Sequence, residues 1–394
     1  MEEEHRVLIA PASFKGSLSA AEAARCMALG VIKRRPKAEC RLLPLADGGE
    51  GTLHALVGLD APFKETIVQG PMGQPVSAKW AYLPGTDTAV IESAQALGLP
   101  SVPVHRRDPL LASSEGLGQL MKAAVQDGAK TLLIGLGGVA TSDGGLGMLQ
   151  ALGTRVKTAS GDACGRGGQA LFDVATIEID DARTFLADVS IQVLTDVAVP
   201  LLGNQGASQF MEQKGATPDQ RRHLTKGLER LSSIAMAQTP GHHYHDISGA
   251  GAAGGLGFGL AWLGGILVPG SQFVAHQINL RAHVEWASII LSGEGAIDTQ
   301  TLEGKALMPL AALAVEHQKP MIALCGSKPK DTERLAQKGF TSVFSVGCGG
   351  ESVVDMMADA KALVVSAAFE IAGLLPHLAS HAEKEHGFDR DKKN

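Results

Sequence analysis

The stretch that decides the fold lies near the amino terminus and reads Val7-Leu-Ile-Ala-Pro-Ala-Ser-Phe-Lys-Gly-Ser-Leu-Ser-Ala-Ala-Glu22. Its first four residues are apolar and run into a proline, which predicts a short buried strand. Ser19 and Glu22 have the spacing of a capping box, and the alanine-rich sequence after them predicts a helix that ends before Pro36. Cys40–Pro44 predicts a second strand, and a strand–helix–strand unit of this length is typical of a parallel crossover.

The carboxyl-terminal part of the chain returns to the same alternation. Ser288–Leu291, Met321–Cys325 and Ser342–Val346 predict strands, and a long helix over Ser352–Leu375 follows them. We therefore predict an α/β protein with a doubly wound parallel sheet, of Rossmann-like type, built from both chain ends. This domain is expected to comprise residues 1–85 and 286–394, and a second α/β domain of residues 86–285 is expected to be inserted into it.

Composition excludes several classes of protein. The 394 residues are 45% hydrophobic and 19% charged, as expected of a folded chain of about two domains. A net charge of −6 with interspersed signs argues against a nucleic-acid partner. Five scattered cysteines without a CxxC pair, and no signal-peptide pattern, favour a cytoplasmic protein. Ile247–Leu280 lacks charge but is rich in glycine, so we expect a soluble helix or loop there and no membrane association.

Four loops share one design, in which an apolar strand leads into small residues and a charged side chain. They are Ala10–Gly16, Ala46–Thr52, Gly137–Gly145 and Ser292–Asp298. Glycine-rich loops let backbone N–H groups approach an anion, and a following helix N-terminus adds partial positive charge. In open α/β sheets, ligands bind beyond the carboxyl ends of the strands, where these loops are predicted to lie. One such loop alone is more often a tight turn, but four together indicate a phosphate-handling site.

The charged side chains near these loops are the groups that phosphoryl transfer requires. Lys15 could neutralise a migrating phosphoryl group, and carboxylates could hold Mg²⁺ or accept a hydroxyl proton. The candidate carboxylates are Asp47, Glu50, Asp143, Asp196, Glu294 and Asp298. Taken singly, Lys15 is more often a surface lysine, and Asp47 and Glu50 are more often acids favoured by a helix dipole.

Motifs for rival functions fit less well. Gly249–Gly254 matches the G-x-G-x-x-G pattern of dinucleotide-dependent enzymes, but no clear strand precedes it and no acid lies about twenty residues on. Lys305 follows a glycine, yet Thr299 stands where a Walker A motif has its first glycine. His242, His243 and His245 could hold a metal, although an exposed loop explains them more simply.

The order and spacing of the loops resemble the signatures of bacterial glycerate kinases over residues from about 7 to 375. Ala10–Ala20, Leu45–Thr52 and Gly135–Gly145 are similar to the first three signatures of that family. Further matches follow in family order, at Arg107-Asp-Pro109, Thr195-Asp-Val197, Gly249–Gly255 and Gly293–Asp298 with Gly304-Lys305. The resemblance implies a flavodoxin-like domain from both chain ends, an inserted α/β domain, and an active site in the cleft between them.

The resemblance also implies transfer of the γ-phosphoryl group of ATP to D-glycerate, with Mg²⁺, most often giving 2-phosphoglycerate. A homodimer is a further possibility. On this basis the catalytic residues are expected to be Lys15, Asp47 and Asp196. The expected ATP contacts are Gly137, Gly138, Thr141, Ser142, Gly144, Gly145 and Lys305. Substrate contacts are expected from Ser13, Gly48, Gly49, Glu50, Arg107, Glu294 and Asp298, and Mg²⁺ contacts from Asp143 and Asp196.

The chain also departs from the family pattern. The family usually has Asp at Ala12, Arg at Ala296 and Asn at Ser142, and it also differs at Glu115, Leu117, Ala198 and Val199. An acid and a base are thus lost from two loops expected to be neighbours, and losing both avoids a lone buried charge. The missing Arg is a natural partner for a glycerate carboxylate, and Arg107, Lys15 and Lys305 remain as replacements. The rival hypotheses are a kinase for another hydroxy acid and a non-catalytic binding protein; the retained Lys15, Asp47, Asp143, Asp196, Glu294 and Lys305 favour a working kinase.

Overall fold

The computed structural model describes residues 5–298, 301, 306–329, 331–347 and 349–388, with side chains up to Leu375 in the last helix. Within these residues the strands are β1 (Arg6–Ile9), β2 (Glu39–Leu42), β3 (Lys64–Gln69), β4 (Pro75–Tyr82), β5 (Thr88–Glu92), β6 (Thr131–Gly135), β7 (Arg155–Thr158), β8 (Val174–Glu178), β9 (Ser190–Leu194), β10 (Ile266–Val268), β11 (Ile289–Ala296), β12 (Met321–Ser327) and β13 (Ser342–Ser345).

The α-helices of the described residues are numbered in chain order. They are α1 (Ala20–Arg34), α2 (Thr52–Val57), α3 (Ser93–Leu97), α4 (Glu115–Gln126), α5 (Leu146–Ala151), α6 (Asp180–Phe185), α7 (Pro218–Gln238), α8 (Ala252–Trp262), α9 (Gly270–Gln277), α10 (Leu280–Trp286), α11 (Leu307–Glu316), α12 (Glu333–Gln337), α13 (Val353–Ala358) and α14 (Ala360–Phe388). The capping box predicted at Ser19 and Glu22 is formed in full. None of these helices combines the length and hydropathy that crossing a bilayer requires.

The chain divides into two compact units. The first comprises Met1–Asp47, His54–Leu59 and Ser271–Asn394, and its sheet has the order β2-β1-β11-β12-β13. Every strand pair in this sheet is parallel. Renumbered along the chain, the order is 2-1-3-4-5, which is the flavodoxin-like order. The predicted parallel sheet from both chain ends is therefore confirmed.

Helices cover both faces of the first sheet. Side chains alternate between these two faces along each strand. Val7 and Ile9 point into a core that α1 and α14 complete with Met27 and Val364. Leu8 points to the opposite face, where the core is completed by α10 and α11. The central strands β1, β11 and β12 are largely buried and read as apolar runs, which is why the sequence alone located them.

The second unit comprises Gly48–Leu53 and Asp60–Gly270 and contains a six-stranded sheet of order β10-β9-β6-β5-β4-β3. The strands β5, β6, β9 and β10 pair in parallel, whereas β3 and β4 are antiparallel. The predicted boundaries at residues 85 and 286 differ from this division. Residues 60–85 belong to the second unit because β4 pairs with β5, and the second junction falls at Gly270.

Two further elements differ from the sequence prediction. The strand predicted to end at Leu291 continues as β11 to Ala296, because its glycine-rich end remains paired with β12. The single helix predicted over Ser352–Leu375 is divided into α13 and α14. Hydrophobic periodicity detects neither the strand extension nor the division of the helix, because the extension is not apolar and no proline marks the division.

Candidate active site

The first candidate loop pair lies in the first unit, at the carboxyl ends of β1 and β11. The Ala12 N–H donates to the Gly293 carbonyl at 2.8 Å, and the Gly295 N–H donates to the Ser13 carbonyl at 3.4 Å. A Cβ on Gly295 would lie 3.0 Å from the backbone nitrogen of Lys15, so the close contact between the two loops favours glycine at position 295. The two loops expected to be neighbours are therefore in contact. They meet where the strand order reverses between β1 and β11, which is where ligands bind in this sheet type.

The side chains of this loop pair offer one cation and two carboxylates. Lys15 is exposed and Ser13 is half-buried. The Thr301 hydroxyl donates to Glu294 Oε1 at 2.5 Å, and the Thr301 N–H donates to Asp298 Oδ1 at 3.1 Å. Thr301 is buried, and its two hydrogen bonds fix the two carboxylates relative to each other. The structure thus groups Ser13 with Lys15, and Glu294 with Asp298.

Asp47 is the last residue of the first unit before the chain enters the second. The Leu45 N–H donates to the Pro11 carbonyl at 2.8 Å, which holds this strand exit beside the Ala10–Gly16 loop. Asp47 is half-buried there. The structure therefore keeps this predicted catalytic residue near the first loop of the same unit.

The next part of the same motif, Gly48–Leu53, packs on strand ends of the second unit. A Cβ on Gly135, at the end of β6, would lie 2.3 Å from the Gly48 carbonyl oxygen. A Cβ on Gly48, whose φ is +92°, would lie 2.7 Å from the carbonyl oxygen of Leu194, at the end of β9. These glycines are required by close backbone packing, which holds the Gly48–Leu53 segment on the carboxyl edge of the second sheet.

Gly135→Ala should displace that segment. The added methyl group meets a backbone oxygen that cannot rotate away, so we expect a loss of about 1–3 kcal/mol in the free energy of unfolding. Gly165→Ala is the matched control, because a Cβ there meets nothing within 4 Å. Urea denaturation of both variants measures the difference. Equal midpoints would show that the segment does not rest on β6.

The predicted phosphate loop, Gly137–Gly145, is accessible over only part of its length. Gly138 is exposed and Gly137 is half-buried, whereas the residues from Thr141 to Gly145 are all buried. The Gly144 N–H donates to the Gly254 carbonyl at 3.1 Å, and a Cβ on Gly254 would lie 2.1 Å from the Thr141 oxygen. Gly254 and Gly255 thus pack against this loop. Of the predicted ATP contacts that the structure describes, Gly137 and Gly138 are the ones that reach the surface.

Asp143 is fully buried and its carboxylate is used internally. Asp143 Oδ2 accepts hydrogen bonds from the Ser114 N–H and hydroxyl, both at 2.8 Å, and from the Gly147 N–H at 3.2 Å. Its Oδ1 accepts from the Gly145 N–H at 3.2 Å. Burial raises the pKa of Asp143, and these four donors oppose that rise. A fully buried carboxylate that already accepts four hydrogen bonds within the protein fits the predicted role of Mg²⁺ ligand poorly, and we assign it to holding the loop in shape.

Lys214 is a buried cation that none of the sequence motifs includes. It is 4% exposed, and its Nζ donates to the Thr141 carbonyl at 2.7 Å. Burial lowers its pKa to about 8, while the charge of Asp143 acts in the opposite direction. The hydroxyls of Thr141 and Ser142 are buried beside it without a hydrogen-bond partner among the described residues. Because Lys214 belongs to no sequence motif, its contact with this loop is visible only in the structure.

The remaining predicted residues differ in how far the structure supports them. Asp196 is half-buried just beyond the end of β9, on the same sheet edge as Gly48. The Arg107 guanidinium donates to the carbonyls of Val102 and Gln213, both at 3.2 Å, so part of it braces the backbone. Lys305 lies outside the described residues.

Several known proteins are similar to this chain over most of its length. The model of the glycerate kinase family matches residues 7–376. The chain is 40% identical to a glycerate kinase of Bacillus subtilis, over 93% of this chain and 97% of that one. It is 39% identical to a glycerate 2-kinase of Escherichia coli K12, over 86% and 90% of the two chains. A crystal structure from Salmonella typhimurium LT2, assigned as a glycerate kinase 2, superimposes with a TM-score of 0.77 at 37% identity, covering 95% and 98% of the two chains.

Proposed function

Because this chain belongs to the glycerate kinase family, we propose that it transfers the γ-phosphoryl group of ATP to the 2-hydroxyl of D-glycerate, with Mg²⁺ as cofactor. The observation that carries this proposal is the loop pair at β1 and β11. It presents an exposed lysine beside a glycine turn, at the position where a flavodoxin-like sheet binds ligands. Phosphoryl transfer relies on positioning and charge stabilisation, and such a site supplies both.

The roles that we propose for individual residues follow from exposure and hydrogen bonding. Lys15 neutralises charge on the migrating phosphoryl group. The backbone N–H groups of Gly137 and Gly138 contact phosphate oxygens of ATP, because these two residues reach the surface. Ser13, Glu294 and Asp298 position the hydroxyl groups of glycerate. Thr301 keeps the two carboxylates fixed, so less conformational entropy is lost on binding.

The donor set for Mg²⁺ is smaller than the sequence predicted. Asp143 does not fit, for the reason given above, whereas Asp196 offers a half-buried carboxylate, and Mg²⁺ is commonly held by one or two carboxylates plus substrate phosphates. When bound, Mg²⁺ supplies neutralisation of phosphate charge. A carboxylate next to a cation is a weaker base, so with Asp196 in that role, Asp47 becomes the better acceptor for the hydroxyl proton.

A hydroxy-acid panel tests which acceptor this site takes. Purified protein is incubated with Mg-ATP and D-glycerate, L-glycerate, glycolate or D-lactate, and ADP release is followed. We expect D-glycerate to give the highest kcat/KM. A higher kcat/KM for another acid would show that this acid, and not D-glycerate, is the preferred acceptor. ATP hydrolysis at the same rate with and without an acid would contradict the kinase proposal.

Ala12 and Ala296 provide a second test, because they lie on the loops that contact each other. Ala12 is buried and Ala296 is exposed. Ala12→Asp alone should destabilise the protein by about 2–5 kcal/mol, since it buries an unpaired charge. Ala296→Arg in the same chain should recover about 1–3 kcal/mol of that loss. Thermal unfolding of the two single variants and the double variant measures this coupling.

Catalytic assays of the same variants separate the rival hypotheses. We expect the unaltered chain to be active, with kcat/KM within about tenfold of the double variant. Activity that appears only in the double variant would support the non-catalytic alternative and contradict our proposal.

A further inference from the structure

Glu92 is a buried carboxylate that none of the sequence motifs includes. It is the last residue of β5, is 3% exposed, and lies opposite Gly135 at the end of β6. Its Oε1 accepts a hydrogen bond from the Leu53 N–H at 2.6 Å, and the Gly51 N–H is a second backbone donor. On the other side, Gln95 Nε2 approaches Oε2 at 3.4 Å.

The partners of Glu92 in the described part of the chain are neutral amides. The pKa of Glu92 is raised from the ordinary 4.5 to about 7, chiefly by burial and also by the charge of Glu50, while the three amide donors act in the opposite direction. A charged group in such a position opposes folding, because it has left water without meeting a cation. Destabilising buried groups of this kind persist where activity needs them, so we expect the contact of Glu92 with Gly51 and Leu53 to serve the activity.

What Glu92 holds is the segment that carries the second signature motif. The N–H groups of Gly51 and Leu53 lie at the amino-terminal turn of α2, where backbone donors have no partner within the helix. Glu92 satisfies these donors from another element, as a capping side chain would. Together with the glycine contacts of Gly48 on Gly135 and Leu194, this fixes Gly48–Leu53 at both ends.

We propose that Glu92 is a positioning residue, which holds the Gly48–Glu50 turn in the geometry that binds D-glycerate. The inference rests on the proposed function and on the substrate contacts that the family resemblance implies for Gly48, Gly49 and Glu50. Glu92 acts through backbone donors and is not itself expected to contact the substrate.

Glu92→Gln is the direct test. The glutamine carbonyl can accept one of the two hydrogen bonds, but its NH₂ group would face the other backbone N–H. We expect kcat/KM for D-glycerate to fall about 10- to 100-fold through a higher KM, as for other residues that orient a binding group. KM for ATP should change little. Hydrogen exchange at Gly51 and Leu53 should become faster. Glu65→Gln, on the exposed part of β3, is the matched control and should change none of these.

The pH dependence distinguishes a positioning role from a merely structural one. The ionised carboxylate is the stronger acceptor, so kcat/KM of the unaltered enzyme should rise with pH through about 7. A carboxyl group with a raised pKa favours the folded state when protonated, and this contribution is lost as pH rises through the folded-state value. Glu92→Gln should therefore make the melting temperature less dependent on pH over this range and remove the inflection in kcat/KM. Glu92→Asp, which keeps the charge, should retain the inflection.

Two failures can be told apart. If the unaltered enzyme phosphorylates D-glycerate and Glu92→Gln leaves KM, the inflection and the exchange rates unchanged, the proposal for Glu92 is wrong. If Gly51 and Leu53 exchange faster while KM for D-glycerate is unchanged, Glu92 anchors a turn that does not bind substrate, which also overturns the proposal. Inactivity of the unaltered enzyme towards D-glycerate would instead refute the proposed function.

Discussion

Lys15→Ala should lower kcat by about 10²–10³-fold while changing KM for ATP much less, because removing one group that stabilises transition-state charge has an effect of this size. Lys15 is exposed on the loop after β1, and its backbone is held against Gly295. Its side chain packs into no core, so the variant should fold normally. Steady-state kinetics with D-glycerate and Mg-ATP measure both constants.

Two controls strengthen the Lys15 test. Lys33→Ala removes an exposed lysine from the end of α1 and should leave kcat unchanged. Lys15→Arg keeps the charge but changes its geometry, and it should retain part of the activity. An unchanged kcat in Lys15→Ala would remove this residue from the mechanism.

Asp143→Ala should lower the free energy of unfolding by about 3–5 kcal/mol, because it leaves four buried donors without an acceptor and Lys214 without a nearby negative charge. Asp143→Asn should cost less, since its carbonyl oxygen still accepts hydrogen bonds. Urea denaturation measures the loss, with Asp188→Ala on an exposed loop as the control.

The Asp143 experiment also decides between the two roles. A metal ligand can often be replaced without loss of stability in the absence of metal, and its loss raises the Mg²⁺ concentration that activity requires. If Asp143→Ala unfolds at the same urea concentration as the unaltered protein but needs more Mg²⁺, the assignment of Asp143 to the loop scaffold is wrong.

Much of the fold could be predicted from local patterns. Buried parallel strands are continuous apolar runs, and the capping box at Ser19 marks the start of α1. The domain boundaries could not be predicted as well, because β3 and β4 alternate in polarity like any half-buried hairpin. Their assignment to the second unit depends on the pairing of β4 with β5, which is not encoded within either strand.

The candidate site was predictable where glycine motifs follow strands, but the role of each residue was not. Asp143 has the sequence context of a ligand and the surroundings of a scaffold. Glu92 and Lys214 follow no loop motif, yet each is buried and bonded to backbone groups of a signature loop. Distances and burial separate these cases, and neither can be read from one sequence.

We propose that the chain is a glycerate 2-kinase although alanine stands at positions 12 and 296. The most direct measurement couples its product to enolase, which uses 2-phosphoglycerate and not 3-phosphoglycerate, while ADP release is followed in parallel. We predict signals in both assays with Mg-ATP and D-glycerate. ADP release without an enolase signal would contradict phosphorylation of the 2-hydroxyl, and silence in both assays would contradict the claim as a whole.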